Sequence, residues 1–100
     1  MVEKEDVTNS ELEKKEMDKK VRGLIKRVLG EEITFAENSG VFINVRDLNR
    51  NRIARVDRQR HTVTVYNPKY EVMVEKIAIA YEKMIQKEVT LRIDYSEARS

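Results

Sequence analysis

The spacing of apolar residues changes twice along the chain, and this change limits the fold more than any other feature. Residues 17–29 carry apolar side chains every three or four positions, which predicts an amphipathic helix. Residues 33–66 alternate apolar and polar side chains in several runs, which predicts strands. Residues 72–85 return to the helical spacing, and residues 89–95 alternate once more. The predicted order of elements is therefore α-β-β-β-β-α-β.

This order predicts the fold class. Two amphipathic helices can cover only one face of a sheet, because each helix has a single apolar stripe to bury. We therefore expect an α+β protein, a two-layer α/β sandwich with both helices on one face of a mainly antiparallel, four- or five-stranded sheet. The 100 residues suffice for one domain. We predict that residues 10–95 form it, with a disordered tail over residues 1–9 and a short tail over residues 96–100.

Local signals place the helix ends. Ser10 and Glu13 have the spacing of a capping box, and Thr8 offers an alternative start for the first helix. Gly30 follows the last apolar residue of that helix and suits a left-handed C-terminal cap. The Asn-Pro pair at residues 67–68 suits the start of the second helix, since Asn caps and Pro loses no needed N–H.

The segments RIARVD and HTVTVY predict a β-hairpin. A tight turn at Arg58-Gln59 would set its register, whereas a longer loop would shift it. The cross-strand pairs predicted for the tight turn are Val56 with His61, Ala54 with Val63 and Arg52 with Val65 on the helix side, and Ile53 with Thr64 and Arg55 with Thr62 on the open side.

Residues 46–61 form a basic island. This stretch has two acids among its arginines, whereas residues 31–45 have three acids and no base. Arginine is the residue suited to bidentate phosphate contacts and to stacking. The six arginines are Arg46, Arg50, Arg52, Arg55, Arg58 and Arg60.

The uncovered face of the predicted sheet combines cations, hydroxyls and rings, as a nucleic-acid platform does. Cations neutralise phosphates, while rings and guanidinium planes stack on bases. The alternative interpretation is an ordinary solvated sheet face, since Thr, Arg and aromatic residues are good strand formers. The side chains that alternation places there include Phe42, Asn44, Arg46, Ile53, Arg55, Thr62, Thr64, Tyr66 and Arg92.

The leading hypothesis is a small non-enzymatic protein that binds RNA or DNA through the arginine-rich hairpin and the open sheet face. Phosphate contacts are predicted for the six arginines of residues 46–61, and Phe42 and Tyr66 are the candidates for base stacking. The alternative is a protein–protein interaction module, a small complex subunit or a homodimer, that uses the second helix or a sheet edge. Ile79 points to this alternative, because it lies within the polar side of the second helix.

Few residues suggest catalysis. His61 is the only histidine, and with no cysteine the chain has too few customary ligands for a structural zinc site. Asp47, Asp57 and Asp94 could meet at one edge of the sheet, but each is near arginines and ion pairing explains them more simply. No motif of a nucleophilic triad, phosphate loop or metalloprotease is present. We therefore predict no enzyme activity, no catalytic or metal-binding residue and no cofactor.

The absence of cysteine favours a reducing, cytoplasmic location. No apolar run is long enough for a membrane span, and the acidic, polar first residues do not resemble a signal peptide, so no membrane partner is expected. The many Lys and Glu residues, with few Gly and Gln, are typical of thermophile proteins.

Overall fold

The computed structural model describes the backbone of residues 2–37 and 41–96 and the side chains of residues 14–36 and 41–96. The predicted order of elements is confirmed. The elements are α1 (Val2–Leu29), β1 (Ile33–Glu37), β2 (Phe42–Asp47), β3 (Arg52–Asp57), β4 (Thr62–Val65), a short 3-10 turn (Pro68–Tyr70), α2 (Glu71–Ile85) and β5 (Thr90–Ile93).

The sheet is five-stranded and mostly antiparallel, which confirms the predicted α+β class. Its strands lie in sequence order, β1-β2-β3-β4-β5. The first four form an antiparallel meander, and β5 adds parallel to β4 after α2. Such a parallel pair needs a crossover connection, which α2 provides. In the described part of the chain, no helix is both long and apolar enough to cross a bilayer.

The core lies between the sheet and the two helices. Each helix contributes one stripe of buried side chains, as its spacing predicts. These are Val21, Leu24 and Ile25 of α1 and Val74, Ile77, Ala78 and Tyr81 of α2. They pack against buried sheet residues that include Ile43, Val45, Val56, Val63 and Val65.

The ends of the helices follow the predicted signals in part. Gly30 has φ of 88° and donates its N–H to the Lys26 carbonyl oxygen at 2.8 Å, as expected of a C-terminal cap. Asn67 Oδ1 accepts the Lys69 N–H at 2.9 Å, so the Asn-Pro start is confirmed, although the first turn is 3-10. The start of α1 differs, because the helix begins at Val2 and includes residues 2–9, the predicted tail. Those residues include Glu and Lys but no Gly or Pro, so a helix anchored further along can continue through them.

A β-bulge interrupts the pairing of β2 with β3. Val45 is opposite Ala54 and Arg46 is opposite Arg52, so Ile53 is an extra residue on β3. Ile53 is fully buried, at 0% exposed. Strict alternation places Ile53 on the open side and Arg52 on the helix side, and both predictions are wrong. Because of this extra residue, the β3 residue before it, Arg52, projects from the opposite side of the sheet to the one that strict alternation predicts.

The β3–β4 hairpin has a longer loop than the tight-turn prediction. Residues 58–61 form the loop, in which His61 has φ of 52°. Asp57 Oδ1 accepts the N–H groups of Gln59 and Arg60, both at 3.0 Å, which stabilises this wider turn. The predicted register is therefore wrong by two residues, although an even shift leaves Ala54, Arg55, Val56 and the β4 residues on their predicted sides. The observed pairs are Ala54 with Val65, Arg55 with Thr64, Val56 with Val63 and Asp57 with Thr62.

Two segments lie outside the described residues. They are residues 38–40, whose Asn-Ser-Gly sequence predicts a turn, and residues 97–100, the end of the predicted C-terminal tail.

Candidate nucleic-acid interface

The sheet face that the helices leave uncovered is called the open face below. Directly opposed residues of neighbouring strands project on the same side, so the cross-strand register assigns its members. They are Thr34 and Ala36 of β1, Phe42, Asn44 and Arg46 of β2, Arg52, Arg55 and Asp57 of β3, Thr62 and Thr64 of β4, Tyr66 just after β4, and Thr90 and Arg92 of β5.

Asn44 lies near the middle of the open face and is only 6% exposed. Its Oδ1 accepts a 2.7 Å hydrogen bond from Nε of Arg55. Because a guanidinium can only donate, this bond fixes which amide atom is the oxygen and leaves Nδ2 as the other. Nδ2 is buried and has no hydrogen-bond partner. An unpaired buried donor costs about 1–3 kcal/mol, and no acceptor among the described residues meets this one.

Arg46 presents a second donor of this kind. Its Nε is buried and has no hydrogen-bond partner. The bulge also places Arg46 directly opposite Arg52, and like charges in opposed positions destabilise a sheet. The charge of Asp94 attracts Arg52 and offsets part of this repulsion.

The two predicted stacking rings are already covered by arginines. The Arg55 guanidinium carbon lies 4.8 Å from the centroid of the Phe42 ring, and that of Arg52 lies 5.4 Å from the Tyr66 ring. Tyr66 is only 7% exposed, so its ring offers little surface to a base. Such cation–π contacts hold the guanidinium planes in place. The guanidinium planes therefore cover the rings, and the rings support the planes.

Arg58 is not on the open face. Its Nη1 lies 2.7 Å from Asp18 Oδ1, and Asp18 Oδ2 accepts the Nε–H of Arg22 at 2.8 Å. The Arg58 N–H also donates to the Val41 carbonyl oxygen at 3.0 Å. This arginine joins the hairpin loop to α1, and the geometry does not support the phosphate contact predicted for it.

Replacing Arg58 should therefore affect folding rather than binding. We expect Arg58→Ala to lower the free energy of unfolding by about 1 kcal/mol, because it removes a partly buried ion pair. Urea denaturation measures this loss, and Arg60→Ala, in the same loop but exposed, is the matched control. A change in the salt dependence of oligonucleotide binding for Arg58→Ala, with stability unaltered, would contradict this role.

Arg50 and Arg60 are exposed at opposite ends of β3. Arg50 has φ of 68° in the β2–β3 loop, whereas Arg60 belongs to the β3–β4 loop. A six-residue strand spans about 20 Å, so the two loops flank the open face rather than join its centre. Arg92 is exposed on β5, opposite Thr64, and extends the basic face towards the sheet edge.

The three aspartates do not converge on one site. Each one caps its own turn. Asp47 accepts the N–H groups of Asn49 and Asn51 at 2.8 and 2.9 Å, and Asp57 stabilises the β3–β4 loop. Asp94 accepts the Ser96 hydroxyl at 2.6 Å, and hydrogen bonds from Ser96, with a smaller contribution from neighbouring arginines, lower the pKa of that carboxyl. Each of the three carboxylates therefore has a structural role in its own turn.

His61 also has a structural role. Its carbonyl oxygen accepts the Thr90 N–H at 3.0 Å, which joins the β3–β4 loop to β5. Its positive φ is compatible with its loop position. Within the described residues, no three side chains of the His, Asp or Glu type are grouped as a metal site would require.

The residues that the sequence predicts for the site differ from those that lie near the middle of the open face. Asn44 and Arg92 appear among the predicted open-face residues, yet neither was a predicted binding residue. A strand asparagine between two apolar neighbours gives no sign that its amide will be buried and unpaired. Neither does the sequence around Ile53 contain a glycine that would indicate a bulge.

No protein family model, no curated protein and no solved structure matches this chain.

Proposed function

We propose that this protein binds nucleic acid by holding the phosphate backbone on the open face. Arg46, Arg52 and Arg55 provide the charge, and Asn44 holds Arg55 in place through the hydrogen bond from its Nε. The observation that carries the proposal is the grouping of these three arginines on one sheet face, where Arg46 lies directly opposite Arg52 and the guanidinium planes of Arg52 and Arg55 are held over rings. Phosphate oxygens are acceptors that suit guanidinium groups.

The extent of the basic surface favours a polymer over a single small anion. The three central arginines lie between Arg50 at one end of β3 and Arg60 at the other, over a distance of about 20 Å. Arg92 widens this surface towards β5. A row of separated cations matches successive phosphates, whereas one small anion would need convergent groups.

The shape of the face favours a single strand over a duplex. The major groove admits a helix or a two-stranded ribbon, and a five-stranded sheet is too wide to enter it. Unpaired bases can lie flat on the guanidinium planes that Phe42 and Tyr66 support. The proposal leaves RNA and DNA as two forms of the same ligand chemistry.

A salt titration of oligonucleotide binding tests the proposal. With three to four phosphate contacts, the logarithm of the binding constant for a single strand should fall with the logarithm of salt concentration with a slope of about −2 to −3. The double variant Arg46→Ala/Arg55→Ala should flatten this slope by about 1.4, because each phosphate contact contributes about 0.7. Fluorescence anisotropy with labelled single-stranded RNA, single-stranded DNA and duplex probes measures the slope.

The matched control is Arg27→Ala, which removes an exposed arginine from α1 on the other side of the molecule. It should leave the slope unchanged. Absence of salt-sensitive binding to every probe at low salt would refute the proposal, and so would an equal effect of Arg27→Ala.

The alternative, a protein–protein interaction module, is supported by a separate observation. Val72 and Ile79 of α2 are 63% and 50% exposed, and both point away from the core. This surface is remote from the open face, because the sheet lies between them. The two functions are therefore compatible.

A further inference from the structure

The edge strands of the sheet are β1 and β5, and both carry backbone groups that point outwards. On β5, the N–H groups of Thr90 and Asp94 donate to carbonyl oxygens on the β4 side. Successive residues of a strand direct their backbone groups to opposite sides, so those of Leu91 and Ile93 point away from β4. The β5 edge can therefore pair with a further strand.

The β1 edge has outward backbone groups as well. The Val41 carbonyl oxygen accepts the Arg58 N–H, so the odd-numbered residues of β2 direct their backbone groups to β3. The even-numbered residues of β2 face β1 and pair with the even-numbered residues of that strand. The backbone groups of Ile33 and Phe35 therefore point away from the sheet.

Apolar side chains line both edges on the side of the helices. Ile93 lies opposite the buried Val65 and is nevertheless 56% exposed, because β5 is the last strand of the sheet. At the other edge, Phe35 lies opposite the buried Val45 and is half-buried. A strand added at either edge would remove this apolar surface from water, which is favourable.

The helix beside β1 gives this edge positive charge. The Arg22 guanidinium carbon and the Lys26 Nζ lie 5.1 and 5.9 Å from the centroid of the Phe35 ring, so both cations lie next to β1. Arg22 is also bound to Asp18, whereas Lys26 is exposed. Lys26 is therefore the cation that a neighbouring molecule at this edge would meet.

The helix beside β5 gives the opposite edge negative charge. Glu71 Oε1 accepts the hydroxyl of Tyr95, and Glu82 Oε1 accepts the Val89 N–H at 2.9 Å. These two bonds show which flank of α2 lies next to β5. Glu75 lies on the same flank, because it is one helical turn after Glu71 and two turns before Glu82, and it is exposed.

The directions of the two edge strands also match. Strands β1 to β4 alternate in direction and β5 is parallel to β4, so β1 and β5 run in opposite directions. A second copy placed beside the first in the same orientation therefore presents its β1 antiparallel to β5. The α1 helix of that copy then lies beside α2 of the first, with Lys26 next to Glu75.

We propose that the chain associates with itself head to tail, with β1 of one copy pairing antiparallel with β5 of the next. Outward backbone groups meet when Phe35 lies opposite Ile93. The facing pairs are then Phe35 with Ile93, Thr34 with Asp94 and Ala36 with Arg92. Because the contact joins two different surfaces, it does not close in a pair, and further copies can add. The open face stays uncovered, so the inference does not depend on nucleic-acid binding.

The short strands limit the strength of this association. β1 has five residues and β5 has four, so the contact falls below the roughly 1,200 Å² typical of stable complexes. Assembly should therefore appear only at high protein concentration. The charges of Arg92 and Asp94 on β5 make the contact selective, because charged edge strands resist pairing with strands that do not accommodate them.

Charge reversal at positions 26 and 75 tests the contact. Lys26→Glu places a carboxylate next to Glu75 of the neighbouring copy, so the dissociation constant should rise about 3- to 10-fold. Glu75→Lys should have the same effect, because it places a cation next to Lys26. An equimolar mixture of the two variants should associate to within about twofold of wild type, and so should the double variant Lys26→Glu/Glu75→Lys. Sedimentation equilibrium over a range of protein concentrations measures all of them.

Ile93→Pro tests the head-to-tail arrangement. Proline blocks the β5 edge, and the N–H that it removes points away from β4, so no bond within the sheet is lost. Alone, this variant should be monomeric. In excess over wild type, it should hold the assemblies at two copies, because its β1 can pair but its β5 cannot. Urea denaturation checks that the variant is folded, and the charge variants decide the matter if it is not.

The matched control is Arg27→Glu, which reverses an exposed charge of α1 on the side away from β1. It should leave the dissociation constant unchanged. A wild-type chain that is monomeric at every concentration would overturn the proposal. A mixture of the charge variants that associates no better than each alone would overturn it too, as would wild-type assemblies that excess folded Ile93→Pro leaves unchanged. These measurements use no nucleic acid, so their outcome is separate from that of the proposed function.

Discussion

Arg46→Glu is expected to weaken oligonucleotide binding about 10- to 100-fold while leaving the fold as stable as wild type or more stable. The substitution removes a charge-assisted phosphate contact and places a repelling carboxylate at the centre of the open face. Without ligand, the same substitution should not lower the free energy of unfolding, because it replaces two opposed cations with a carboxylate opposite Arg52. Opposite charges in such a pair contribute about 0.2–1 kcal/mol.

Two measurements on the same sample check this expectation. Anisotropy with a single-stranded probe gives the change in affinity, and urea denaturation gives the change in the free energy of unfolding. Arg27→Glu is the control, because it introduces the same charge change at an exposed residue of α1, on the other side of the molecule. A loss of stability that accompanies the loss of binding would show that Arg46 has a structural role and would remove the basis for placing it in a site.

Ile53→Ala is expected to lower the free energy of unfolding by about 2–5 kcal/mol. Ile53 is fully buried because the β-bulge turns it into the core, and truncation there leaves a cavity. Domains of this size have a total stability of about 5–15 kcal/mol, so the loss would be large. Ile79→Ala makes the same chemical change at a side chain that is 50% exposed. It should cost no more than about 0.5 kcal/mol.

The comparison of the two isoleucines also tests the bulge itself. In a regular strand Ile53 would lie on the open face between polar neighbours, and its truncation would resemble that of Ile79. Urea denaturation at a protein concentration where the chain is monomeric separates the two cases. Equal and small effects of both substitutions would mean that β2 and β3 pair without the extra residue.

Periodicity alone predicts most of the fold. The helical spacing in residues 17–29 and 72–85 and the alternation between them specify which side of each element is apolar, and this determines the two-layer arrangement. The Asn-Pro signal and Gly30 place two helix ends because their conformational preferences are local. The periodicity of the sequence does not predict that α1 begins as early as Val2, because residues with helix propensity but no apolar stripe give no periodic signal.

The details that create the candidate site depend on contacts between strands. One extra residue at Ile53 moves Arg52 to the open face, and nothing in the local sequence requires it. The ion pair between Arg58 and Asp18 is equally hard to predict, because only the packing of the hairpin against α1 brings the two residues together. Six arginines that look equivalent in the sequence therefore separate into three on the open face, two in flanking loops and one in a structural ion pair.

Because β5 pairs with β4 only after the chain has passed through α2, Arg92 should join the basic surface at a later stage of folding than the other arginines. Strands β1 to β4 each pair with their neighbour in sequence, but β5 reaches β4 only after the chain has passed through α2. Contacts between residues far apart in sequence require closure of a longer loop and form later in folding. Asn44, Arg46 and Arg55 are therefore assembled by the meander alone, whereas Arg92 joins them only after α2 has docked. Transient release of the edge strand would narrow the cationic surface without dismantling its centre.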